Sequence, residues 1–293
     1  MKKFVLAYNP VSGDALFKRK LDKLIAMFQD RYCILIPYRT KLQNQELIEL
    51  IDAIMPTGII IAGGDGTLNE IVNIMLKNNI TLPIAIIPSG TSNDFASCLS
   101  LGPNHLENYI DSIINGKTIP VDIGSIGEKY FINVASAGML TSVAHDVDRK
   151  FKNTFGRLAY YLRGIGELPR FRALDMTVEI DGIVKKVEAF FVLIVNSSVV
   201  AGLKNVSINA KLDDGKLDLI MLKQCNIPEL VNFTAEMVAG KPAADNKNIA
   251  YIQASSFKIN CAEAVESDID GEPGPGLPLE IKTIPSAIEI YVK

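Results

Sequence analysis

Apolar positions in the first third of the chain fall into two alternating patterns. Phe4-Val5-Leu6-Ala7-Tyr8, Tyr32-Cys33-Ile34-Leu35-Ile36, residues 58–62 and Pro83-Ile84-Ala85-Ile86-Ile87-Pro88 are short, nearly continuous apolar runs. Such runs suit strands covered on both faces. Between them Leu16, Leu21, Leu24, Ile25 and Phe28, then Leu47, Ile48, Ile51 and Ile54, then residues 68–76, carry apolar side chains at helical spacing. The regular alternation of strand and helix predicts a parallel sheet flanked by helices.

The pattern changes near residues 120–124. Met176, Val178 and Ile180 alternate with polar residues, Asp181-Gly182 is a two-residue hairpin signal, and the chain returns through 187–195. Leu217, Leu219 and Met221 alternate again, and further strands are predicted over 257–261, 279–283 and 287–292. One helix interrupts them, with Asn226 as N-cap, Pro228 in its first turn and Gly240 at its end. The reading is an α/β domain with a parallel sheet over residues 1–123, then a β-rich sandwich domain over residues 124–293. The last strand is free to return to the first domain.

Composition narrows the function. The 293 residues are 48% hydrophobic and 22% charged, enough for two domains with ordinary cores. A net charge of −3 gives no support for nucleic-acid binding. No apolar run reaches the length of a membrane span, and the apolar start is too short for a signal peptide. A cytoplasmic protein without a transmembrane segment is expected. Cys33, Cys98, Cys225 and Cys261 are scattered, and His105 and His145 lack metal spacing, so neither a disulfide framework nor a zinc site is expected.

The candidate chemistry lies in glycine turns that follow strands. Gly63-Gly64-Asp65-Gly66-Thr67 comes after Ile59-Ile60-Ile61-Ala62 and opens the helical pattern of Leu68 and Asn69. Glycines let main-chain N–H groups approach an anion, and the helix dipole points at the same place. Asp65 inside this cradle is repulsive to phosphate unless it holds a metal or takes a proton, which suggests phosphoryl transfer. A dinucleotide fingerprint would need glycine where Asn69 stands, and a Walker A loop would need glycine where Asp111 stands before Gly116-Lys117-Thr118. Asn9-Pro10-Val11-Ser12-Gly13 and Pro88-Ser89-Gly90-Thr91-Ser92-Asn93-Asp94-Phe95-Ala96 end two further strands, where α/β sheets bind ligands.

These three motifs, in this order and spacing, resemble the diacylglycerol/sphingosine kinase family of lipid kinases, and its soluble bacterial branch most of all. The likeness continues in Asn133, in Gly156-Arg157-Leu158-Ala159-Tyr160, in Lys211-Leu212-Asp213-Asp214-Gly215-Lys216 and in Asp270-Gly271-Glu272. It implies a first domain of NAD kinase/phosphofructokinase type and a second that supplies the catalytic base. It also implies that Asn9, Thr40, Gly63, Gly64, Asp65, Gly66, Thr67, Leu68, Asn69 and Thr91 hold ATP. Asp65 would sit near the transferred phosphoryl group and its Mg²⁺. Asp270 would be the general base, with Glu272 a close second. A second, structural Mg²⁺ would take the Asp214 carboxylate and the main-chain carbonyls of Lys211 and Lys216, an oxygen set that suits this ion. Ala201-Gly202-Leu203 departs from the three glycines of many relatives, which opens the question of acceptor preference. The basic and aromatic stretch from Arg149 to Arg172 suits anionic headgroups.

The implied activity is ATP-dependent phosphorylation of a lipid hydroxyl, by default diacylglycerol to phosphatidic acid, at the inner face of the membrane. A homodimer is left open. The alternatives are a kinase of a soluble alcohol such as NAD, and a catalytically silent nucleotide sensor.

Overall fold

The computed structural model describes residues 1–10, 17–41, 44–102, 106–138 and 172–293. They form two compact units, Met1–Val121 with Ser286–Lys293, and Asp122–Pro285.

In the first unit β1 (Lys3–Tyr8), α1 (Phe17–Gln29), β2 (Ile34–Arg39), α2 (Gln45–Ile54), β3 (Gly58–Gly63), α3 (Asp65–Lys77) and β4 (Ile84–Pro88) alternate, followed by short α4 (Asp94–Cys98) and α5 (Leu106–Asn115). The strands are parallel in the order β2-β1-β3-β4, with Tyr8 opposite both Arg39 and Ala62, and Gly63 opposite Pro88. Their C-terminal ends, and the loops that follow, therefore share one edge of the sheet. Both faces are covered, because Phe4, Val5, Leu6, Ile59, Ile60 and Ile84 are all inaccessible to solvent. Phe28 of α1 packs edge-on against Phe4, with ring centroids 5.4 Å apart. α5 has no counterpart among the predicted elements. It buries Tyr109, Ile110 and Ile113, and the Tyr109 hydroxyl donates to Tyr291 O at 3.0 Å while accepting from Ile86 N at 3.1 Å. Burial holds that hydroxyl well above the usual tyrosine range.

In the second unit the described strands are β5 (Thr118–Ile126, begun in the first unit), β6 (Lys129–Phe131), β7 (Val134–Gly138), β8 (Leu174–Ile180), β9 (Ile183–Val195), β10 (Leu217–Lys223), β11 (Ile249–Ala254), β12 (Ser256–Cys261), β13 (Ser267–Ile269), β14 (Glu272–Pro273) and β15 (Leu279–Tyr291). Each pairing with a given register inside this unit is antiparallel. Asp181 and Gly182 turn β8 into β9 with φ of 46° and 85°, the left-handed pair that a tight hairpin needs. The Asp181 carboxylate also accepts from the amides of Ser255 and Ser256 at 3.2 and 2.9 Å.

β10 differs from its expected alternation, since Leu217 through Leu222 are all buried. Leu217, Leu219 and Met221 enter the sandwich core with Met176, Val178, Phe257 and Ile281. Ile220 and Leu222 face a second core under α6 (Ile227–Val238), which contributes Leu230, Phe233 and Met237. Asp218, on that same strand, is buried too, and its carboxylate accepts from Ser207 Oγ and from Gln253 Nε2.

α6 starts at a reciprocal cap. Asn226 Oδ1 accepts from Glu229 N at 2.9 Å, and Glu229 Oε2 accepts from Asn226 N at 3.2 Å. Asn226→Ala is expected to cost about 1 kcal/mol, measured as a lower denaturant midpoint at unchanged slope.

The separate strands expected over 279–283 and 287–292 are one strand, β15. Its first residues pair with β12, through Ile281 opposite Phe257, and Ile290 lies parallel to Ile84 of β4. Pro285, which has no amide to donate, falls between those two stretches, where the strand changes partners.

Candidate active site

The first unit brings the predicted nucleotide residues to one edge. Asn9 follows β1, its amide donating to Ala62 O at 3.0 Å and its side chain to Thr67 Oγ1 at 3.1 Å. Thr40 follows β2, with its amide 3.0 Å and its hydroxyl 3.3 Å from Tyr8 O. The turn expected over residues 63–67 is shorter than the sequence suggests, because α3 already begins at Asp65. Gly64 is the N-cap, in extended backbone, and no side chain caps it. The first-turn N–H groups of Asp65, Gly66 and Thr67 thus lack the partners that a helix interior supplies, which is the physical basis of an anion site. A Cβ at Gly66 would meet nothing within 4 Å. Leu68 is buried and its amide donates to Gly64 O at 3.1 Å, while Asn69 accepts from the Asn73 side chain at 2.8 Å.

The loop after β4 packs directly on this turn. A Cβ on Gly90 would lie 2.4 Å from Gly64 Cα, so the two glycine loops touch backbone to backbone. Gly90 N donates to Asn93 Oδ1, and Asn93 Nδ2 donates to Gly90 O, both at 2.8 Å, which closes a turn that leaves Thr91 exposed at its tip.

Asp65 has a role the sequence did not suggest. Its carboxylate accepts from Asp94 N at 3.1 Å and from Phe95 N at 3.2 Å, the first amides of α4. The acid that looked repulsive beside an anion is instead an acceptor for the amides of a second helix start.

In the second unit Asp270 and Gly271, with φ of 50° and 88°, make the tight turn between β13 and β14. The Asp270 carboxylate accepts from three amides in succession, Ile132 at 2.7 Å, Asn133 at 3.0 Å and Val134 at 2.7 Å, and its own amide donates to Val134 O at 2.8 Å. A carboxylate has about four lone-pair sites, so Asp270 is largely committed to holding this segment. Glu272, two residues on, is exposed, and among the described residues its carboxylate has no hydrogen-bond donor. Asn133 Nδ2 donates to Val199 O at 3.0 Å, and Ser197 Oγ donates to Asn133 Oδ1.

The turn carrying Lys211, Asp214 and Lys216 is pinned by buried Asp122, which the sequence reading passed over. Asp122 N donates to Leu212 O and Asp122 Oδ2 accepts from Gly215 N, both at 2.6 Å. An acid between Val121 and Ile123 in a strand was the available signal. Asp214 Oδ1 accepts from Lys216 N at 3.0 Å. Among the described residues no three His, Cys, Asp or Glu side chains gather. A metal here would rest on one carboxylate and main-chain carbonyls, a donor set that Mg²⁺ tolerates and zinc does not.

Val11, Ser12 and Gly13, His105, His145, Gly156 to Tyr160 and the basic stretch up to Phe171 lie outside the described residues. Arg172 is described and pairs with Glu263 at 2.5 Å. No described helix is long and apolar enough to cross a membrane.

Comparison with known proteins bears on the family and the fold. Residues 3–126 match the model of the diacylglycerol kinase catalytic domain, and residues 133–292 that of the YegS C-terminal NAD kinase beta sandwich-like domain. The diacylglycerol kinase of Bacillus subtilis is 33% identical over 294 residues, covering all of this chain and 97% of that protein. The diacylglycerol kinase of Staphylococcus carnosus is 34% identical over 292 residues, covering 99% and 95%. A crystal structure of a diacylglycerol kinase from Bacillus anthracis str. Sterne superposes with a TM-score of 0.79 at 26% identity, covering all of this chain and 97% of the other.

Proposed function

This chain belongs to the diacylglycerol kinase family, and from that premise we propose that it transfers the γ-phosphate of ATP to a membrane-lipid hydroxyl, converting diacylglycerol to phosphatidic acid. The observation that carries the nucleotide half is the uncapped start of α3, where a Cβ at Gly66 would meet open space. Main-chain amides there suit a polyphosphate. Asn9, Thr40 and Thr91, on the loops sharing that edge, would hold the rest of the nucleotide.

In the transfer, the acceptor oxygen bonds to the γ-phosphorus and the β–γ bridging oxygen leaves with ADP. The hydroxyl proton must go to a base. Of the two acids in the Asp270-Gly271-Glu272 turn, we assign the proton to Glu272. Asp270, with three amides on its carboxylate, keeps the turn in shape. Mg²⁺, when bound, spreads the charge developing on the phosphates. Asp214 with the carbonyls of Lys211 and Lys216 would hold a structural ion. The protein would visit the inner membrane surface, where its substrate lies.

An assay offering labelled ATP with diacylglycerol in mixed micelles or with NAD tests the reading. Labelled phosphatidic acid is the expected product. Labelled NADP would replace the lipid with a soluble acceptor, and ATP binding without transfer to either would make the protein a sensor.

A further inference from the structure

Asn44 is 3% exposed, yet it stands just before α2 without capping it. Its side chain is instead the hub of four hydrogen bonds. Oδ1 accepts from Lys41 N at 3.0 Å and from the Tyr38 hydroxyl at 3.1 Å. Nδ2 donates to Lys41 O at 3.0 Å and to Glu70 Oε1 at 2.5 Å.

Glu70 lies on α3, one turn beyond the amides assigned to phosphate. Its carboxylate is half-buried, and among the described residues Asn44 is its one hydrogen-bond donor and no cation pairs with it. Burial raises its pKa, and the Asn44 bond opposes that shift only in part. Lys41, whose main chain Asn44 holds, pairs through its side chain with Glu46 at 2.7 Å. A carboxylate kept in this unfavourable setting has a geometric use. The Asn44–Glu70 bond ties α3 to the connection after β2, passing over the end of β1.

We propose that Asn44 and Glu70 are positioning residues for the nucleotide, joining the backbone of Lys41, the residue after Thr40, to the helix that carries the phosphate cradle. The inference rests on the nucleotide half of the proposed function. Arg39 is the last residue of β2, and Thr40 after it is held on Tyr8 O by its amide and its hydroxyl. The Asn44 amide, bound to both polar main-chain groups of Lys41, fixes the residues beyond. Glu70 is needed as a hydrogen-bond acceptor, so a neutral amide serves in its place.

The test is ATP titration by calorimetry and by steady-state kinetics on Asn44→Ala, Glu70→Ala and Glu70→Gln. Glu70→Ala is expected to weaken ATP binding about tenfold, the value of one lost hydrogen bond of 1.4 kcal/mol, and Asn44→Ala, which removes all four, by at least as much; both should raise KM for ATP while kcat stays within about twofold. Glu70→Gln is expected to restore the wild-type KM. Glu70→Gln as damaging as Glu70→Ala would make the charge itself the functional element and overturn the proposal. So would a fall in kcat at unchanged KM, or unchanged binding in both alanine variants. Thermal melting of each variant separates lost positioning from lost folding. If wild type binds ATP without phosphorylating lipid, the proposed function fails, while the calorimetric comparison still decides this inference.

Discussion

Glu272→Gln is expected to lower kcat about 10²–10⁴-fold, the contribution of a positioned general base. ATP affinity and melting temperature should match wild type, because the Glu272 side chain is exposed and unbonded among the described residues. Asp270→Asn should behave differently. One oxygen becomes an NH₂ group that opposes the amide of Ile132 or those of Asn133 and Val134, which Asp270 now accepts. A buried donor left unmatched costs about 1–3 kcal/mol, so this variant should lose stability and activity together. Denaturant melts alongside single-turnover rates separate the two. A stable Asp270→Asn enzyme with a purely chemical defect, beside an active Glu272→Gln enzyme, would return the base to Asp270.

The second large effect contrasts two glycines of the proposed nucleotide site. Gly90→Ala places a methyl group 2.4 Å from Gly64 Cα, against backbone that cannot rotate aside. It is expected to cost about 1–3 kcal/mol or more and to abolish ATP binding. Gly66→Ala meets no protein atom and lies in the first turn of α3. Alanine there should gain about 0.5–1 kcal/mol of helix stability while blocking the approach of phosphate, so the melting temperature is held or raised as ATP affinity drops at least about tenfold. Gly66→Ala with full ATP affinity would mean that the triphosphate does not lie over these amides.

How far the sequence was legible follows from the range of each interaction. The strands of the first unit were readable because both faces are buried and each run is apolar throughout, as in Ile59, Ile60 and Ile61. The α6 boundaries were readable because Asn226, Pro228 and Gly240 act within one turn of their own position. The glycines could be placed on a turn between strand and helix, since the three are contiguous in the chain. The duties of the acids could not be read. Asp65 meets amides 29 and 30 residues away, and Asp270 meets amides 136 to 138 residues away. Nothing local announces such partners, so a motif tells which acids matter and leaves open whether they act on the substrate or on the backbone. Asn44 carried no signal beyond an ordinary cap before α2, and its distant partner, Glu70, is 26 residues on.

The division of the chain also bears on biosynthesis. The first unit includes Ser286–Lys293, and Ile290 supplies the neighbour of β4 on its open side. A ribosome emits residues in order, so the nascent unit spends the translation of more than half the polypeptide with β4 as a bare edge as well as β2. A bare edge invites pairing with other chains. Stalled or prematurely terminated products that retain β1 through β4 should therefore be the species most dependent on chaperones.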